Sequence, residues 1–154
     1  MKFDEQLISF IYRSDIEGVR QSLSAGASTS VSDSDGRDAL MHAILSSDCN
    51  PAIVSLLLAS GANPNHKDRG QNWSALAFAA RGCDREICSL LLDNGAEIDP
   101  VDVFDNTPLW RAVMAKREEI VSLLVSRGAN PDLANKSGVS PRILAQRLGV
   151  SYFT

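Results

Sequence analysis

The sequence predicts an all-α solenoid of short helix–turn–helix units. Three observations predict it. The pair Gly-Ala recurs at a nearly constant interval, at Gly26-Ala27, Gly61-Ala62, Gly95-Ala96 and Gly128-Ala129. In phase with these, Asp38-Ala39-Leu40, Ser74-Ala75-Leu76, Thr107-Pro108-Leu109 and Ser140-Pro141-Arg142 recur at almost the same interval. Each Gly-Ala pair follows an apolar run with helical spacing, such as Ile53-Val54-Ser55-Leu56-Leu57-Leu58. Self-similarity at such a period marks a stack of supersecondary units, each burying its apolar face on its neighbours.

The elements follow in order. Residues 1–32 read as a first unit lacking its turn, with Asp4, Glu5 and Gln6 able to face water and Val19-x-x-x-Leu23 as the apolar stripe of its second helix. The second unit covers 33–67, the third 68–101 and the fourth 102–134; residues 135–154 supply a last turn and a closing helix from about Pro141 to Leu148. In each complete unit an Asp, Ser or Thr precedes the first helix, where its side-chain oxygen can accept from the unpaired amides of the first turn. Pro108 and Pro141 take the first helical position, where a missing N–H costs nothing. Small residues follow at Ala43, Ala79-Ala80, Ala112 and Ala145, which lets adjacent helices approach closely. The second helix carries the apolar run, and the Gly after it closes the helix in a left-handed conformation that a Cβ would penalise. Two insertions break the period, and both fall in loops: an extra pair within Ser46–Pro51 and a single extra position within Asp68–Trp73.

These residues resemble the ankyrin repeat, with the closest match at Thr107-Pro108-Leu109-Trp110-Arg111-Ala112 and Gly128-Ala129-Asn130-Pro131-Asp132. The histidine with which that family ties adjacent turns is replaced by Trp110, Met41 and Ala77, so another contact is expected to stiffen the turns. The resemblance implies a partner surface made of the turn tips and the first helix of each pair. Its variable slots fall on Asp35, Arg37, His42, Leu45 and Ser46 in the second unit. In the third they fall on Arg69, Gln71, Trp73, Phe78 and Arg81, and in the fourth on Val103, Phe104, Asn106, Trp110, Arg111 and Met114. Aromatics with interleaved arginines are what interface hot spots favour. Trp73 is read as exposed beside an insertion, and Val103 and Phe104 as turn-tip residues that the monomer buries poorly. Changing Trp73 and Phe104 together to Ala is therefore expected to spare folding and weaken binding by about 2 kcal/mol. Trp110 has two readings: it packs turn against turn in place of the missing His, or it faces the partner.

Composition narrows the function. Hydrophobic residues at 44% and charged residues at 22% are ordinary for a globular protein, which argues against disorder. No apolar run is long enough to cross a bilayer, and the N-terminal stretch lacks the apolar core of a secretion signal. With three cysteines, an odd number, this reads as a cytoplasmic protein with reduced thiols. The net charge is −4, and no basic stripe suggests a nucleic-acid partner. Residues 1–100 carry 8 basic and 14 acidic side chains, a net of −6, which would suit a basic partner. His42 and His66 have no Ser or Cys at a spacing that suggests a nucleophile–base pair, and Cys83 and Cys88 lack the companions that a metal site needs. Catalytic, metal and cofactor sites are therefore expected to be absent, and the free chain is expected to be a monomer.

What remains is a non-enzymatic module that binds and occludes another protein. The stretches 106–113 and 130–141 are similar to small bacterial ankyrin proteins, which implies an immunity protein neutralising a cognate toxin. The alternative is a scaffold or regulatory subunit of a cellular enzyme or signalling protein.

Overall fold

The computed structural model describes residues 2–153; Met1 and Thr154, the expected ends of the first unit and of the cap, lie outside the described residues. The helices are α1 (Lys2–Tyr12), α2 (Ile16–Ser24), α3 (Ala39–Leu45), α4 (Pro51–Ala59), α5 (Ala75–Gly82), α6 (Arg85–Asp93), α7 (Pro108–Met114), α8 (Glu118–Ser126) and α9 (Pro141–Leu148). They stack in two rows. The odd-numbered helices pack in succession to form an inner row, and α2, α4, α6 and α8 form an outer row behind it. Among the described residues there is no strand, only an isolated bridge between Lys67 and Ser74. The architecture is an all-α repeat solenoid.

Local chemistry starts the inner helices α3, α5, α7 and α9 and stops the outer helices where the spacing predicts. Asp38, Ser74, Thr107 and Ser140 each accept a hydrogen bond from the amide three residues on, at 2.9, 3.2, 3.2 and 3.2 Å. The Gly-Ala pairs close the outer helices. Gly61 has φ +88°; its N–H donates to Leu58 O and that of Ala62 to Leu57 O, at 3.1 and 3.0 Å. The same two bonds recur at Gly26-Ala27, Gly95-Ala96 and Gly128-Ala129. Two otherwise orphaned carbonyls are thus satisfied at every unit.

The core repeats with the helices. Leu40, Leu76 and Leu109 in the inner row, and Leu57, Leu91 and Leu124 in the outer row, are completely buried. Cys88 takes the buried slot of Val54 and Val121, and desolvation pushes its thiol up to about 12.

One further period shapes the turns. Asp33, Asp68, Asp102 and Asn135 each open a hairpin-like finger, and one side-chain oxygen of each accepts two amides within it. Backbone bonds then stitch finger to finger: Arg69 N to Asp35 O (2.8 Å), Val103 N to Gln71 O (3.0 Å) and Lys136 N to Phe104 O (3.0 Å). These bonds, with Asn135 Nδ2 to Asn106 Oδ1 at 2.8 Å, stiffen the turns in place of the missing histidine.

The cysteine expectation needs correction. Cys49 and Cys83 are joined as a disulfide, with Cα atoms 6.1 Å apart and a sequence separation of 34. Cys83 is buried and Cys49 half-buried. The repeat period is the reason, since it lays the α3–α4 loop beside the α5–α6 loop.

Candidate functional site

The inner helices and the fingers form one continuous face. In the second unit, Asp35 and Arg37 at the finger tip pair at 3.3 Å. His42, at the middle of α3, is mostly enclosed. Its Nε2 lies 3.2 Å from Asp33 Oδ2 and its Nδ1 2.8 Å from the Tyr12 hydroxyl. Burial would raise the Asp33 carboxyl, but the amides of Arg37 and Asp35 and the nearby His42 hold it below the ordinary value. Ser46 is buried at the end of α3, where its hydroxyl donates to Ala43 O at 2.7 Å. Leu45 is exposed.

In the third unit, Arg69 and Gln71 project from the finger tip and Arg81 from the end of α5. Trp73 does not project. It is only 6% exposed, which corrects the expectation of a solvent-facing ring. Asp68 accepts its amide at 2.9 Å and draws the residue to the base of the finger. There the Arg111 guanidinium lies over the indole, 4.0 Å from the ring centre, with Arg81 at 5.2 Å and the half-buried Phe78 ring at 4.8 Å. The indole N–H donates to Gln71 Oε1 at 3.2 Å. Substituting Trp73 would therefore disturb packing, and the pairing with Phe104 would not isolate binding.

In the fourth unit, Phe104 and Met114 are exposed at 52% and 54%, and Val103 is half-buried. Asn106 is buried, contrary to its expected contact role, because it spans Asn135 and Asp102. Arg111 forms an ion pair with the buried Asp102. Burial would raise Asp102, yet the amides of Asn106 and Phe104 and the Arg111 guanidinium outweigh it and hold the carboxyl below the ordinary range. Trp110 is half-buried against the core, and among the described residues its indole N–H has no acceptor.

Between the second and third units runs an open groove of about 490 Å³, lined among others by Tyr12, Arg37, Leu45, Phe78 and Arg81. Tyr12 was not among the expected contact residues, although it precedes Leu45 by one repeat period. The missing turn of the first unit hid the equivalence. The groove offers rings, aliphatic surface and guanidinium groups, a set suited to gripping another chain.

A family model for ankyrin repeats in three copies matches residues 46–135, more than half of the chain. The chain belongs to the ankyrin-repeat family, and its repeats mark it as a protein–protein interaction module. It is similar to Ankyrin repeat domain-containing protein 37 of Bos taurus, 39% identical over 106 residues, which are 66% of this chain and 66% of that protein. It is also similar to bacterial proteins. A putative ankyrin repeat-containing protein of Treponema pallidum is 32% identical over 138 residues, 90% of this chain and 46% of that protein. A putative ankyrin repeat protein of Rickettsia bellii is 32% identical over 125 residues, 78% of this chain and 35% of that protein. The chain thus spans less than half of those two relatives. None of these names is that of an enzyme. Among the described residues, no helix is long and apolar enough to cross a membrane.

Proposed function

We propose that the chain binds a partner protein across the fingers and inner helices of its second to fourth units, with Tyr12 of the first unit at the edge, and occludes the surface it covers. The observation that carries this reading is the gathering of Tyr12, Leu45, Phe104 and Met114, all exposed, along the face that also presents Arg69 and Arg81. Turn-tip and inner-helix side chains that the monomer leaves uncovered are the ones a partner can desolvate. The finer reading is that the occluded partner is a toxin, neutralised in the cell that makes it. It is supported by the similarity of residues 106–113 and 130–141 to small bacterial ankyrin proteins. As a bound monomer without catalytic groups, the chain would act by blocking.

Capture from the source cell tests both levels. Phe104→Ala with Met114→Ala should leave the melting curve unchanged and weaken partner capture by about 2 kcal/mol or more. Equal capture by variant and parent would remove the site. Recovery of a metabolic enzyme or signalling protein, and of no toxin, would remove the immunity reading and leave the regulatory one.

A further inference from the structure

Charge placement on the groove points to its occupant. The first hundred residues are net −6, which by itself would suit a basic partner. The structure distributes that charge differently. Within those residues Glu17 and Glu86 lie in first turns of outer helices and Asp4 and Glu5 in the first turn of α1, and none of the four lines the groove. On the fingers the carboxylates are already engaged. Asp33 faces His42, Asp35 pairs with Arg37, Asp68 is buried under the amides of its own turn, and Asp102 is buried under Arg111. Asp105 is half-buried at the tip of the fourth finger.

The cations are not so balanced. Arg69 and Arg81 are both exposed, and among the described residues neither has a carboxylate within ion-pairing distance. Arg81 lines the groove with Phe78 and lies over the Trp73 ring, and Arg69, between the lining residues Asp68 and Gly70 in the chain, is bonded through its backbone to Asp35, which also lines the groove. Leu45 and Tyr12 continue the groove as exposed apolar surface on the other side. The groove therefore joins an apolar seat to the Arg81 guanidinium, with Arg69 on the adjoining finger, and a guanidinium recognises a carboxylate through two parallel hydrogen bonds.

We infer that the segment seated in this groove is acidic: a stretch of a partner protein that lays an apolar side chain on Leu45, Phe78 and Tyr12 and sets carboxylates against Arg81 and Arg69. This rests on the protein-binding reading above and gives that site its partner chemistry. Two separate cations without carboxylate partners among the described residues suit discrete carboxylates better than a continuous phosphate backbone. The net charge of −4 is no bar, because it is screened beyond about 8–10 Å at physiological salt.

The test is selection of a random peptide library displayed on phage against the immobilised full chain. Enriched peptides should carry an excess of Asp and Glu next to an aromatic or aliphatic residue. Arg69→Glu with Arg81→Glu should weaken them at least about tenfold, whereas Arg20→Glu with Arg85→Glu, on the outer row, should not. Circular dichroism melts would show that both double variants fold. Enrichment of basic or neutral peptides, or of acidic ones indifferent to the Arg69 and Arg81 reversals, would overturn the acidic assignment and leave protein binding intact. So would displacement of the selected peptides by oligothymidylate. Equal capture by parent and variant in the Phe104 and Met114 experiment would instead strike the underlying reading.

Discussion

Arg111 satisfies two neighbours at once. Its guanidinium neutralises the buried Asp102 and covers the Trp73 indole of the preceding unit. Asp102 in turn holds the fourth finger through the amides of Phe104 and Asn106. Asp102→Asn should cost about 2 kcal/mol at neutral pH, because a charge-assisted network loses its anion. The pH dependence follows from the sign of the shift. A carboxyl held below its unfolded value contributes stability that is complete above the ordinary carboxylate range and is lost as the pH falls through the lowered value. Urea melts of parent and variant should therefore differ at neutral pH and converge as the pH falls below the ordinary carboxylate range and Asp102 protonates. A constant difference across that range would mean that Asp102 acts by shape alone. Arg111 and Trp73 lie more than a full repeat apart in sequence, and their contact was not legible because it depends on how far the fourth unit leans over the third. The Asp33, Asp68, Asp102 and Asn135 series, by contrast, was in plain sight. It keeps the period of the Gly-Ala pairs but falls at the edges of the units, outside the helices that carry the apolar spacing.

At the scale of the element, sequence and structure agree closely. An N-cap, an apolar stripe and a closing glycine are local signals, and each one acts within a turn of the residue that carries it. Leu91 shows the energetic side. It is completely buried in α6, so Leu91→Ala should cost about 2–5 kcal/mol in a denaturant melt. A loss below about 1 kcal/mol would place that side chain outside the core. The fingers were less legible than the helices. Their hydrogen bonds run between units, from Arg69 to Asp35 and from Val103 to Gln71, so no single unit encodes them. Trp73 was misplaced for the same reason: its cover comes from Arg111, one unit away.

Among the described residues, the helices of each unit pack chiefly against those of the units beside it, so stability accumulates along the stack. The Cys49–Cys83 disulfide spans one such junction, with a sequence separation of 34. A cross-link of that length restricts the unfolded chain by up to about 3–4 kcal/mol. Reduction should lower the melting temperature, and Cys49→Ser should reproduce the loss in the absence of reductant. An unchanged melt on reduction would show that the bond adds nothing to the folded stack. The same stacking gathers the groove, since Tyr12, Leu45, Phe78 and Arg81 come from three successive inner helices.

By itself the sequence determined the repeat, the fold class, the helix ends and the buried leucines, because period, capping and apolar spacing are all local. Only the tertiary structure decided which aromatic rings stay in water, which arginines go unpaired and which cysteines meet. Those outcomes depend on the offset between one unit and the next, and that offset is set by packing across the junction rather than by residues within a unit.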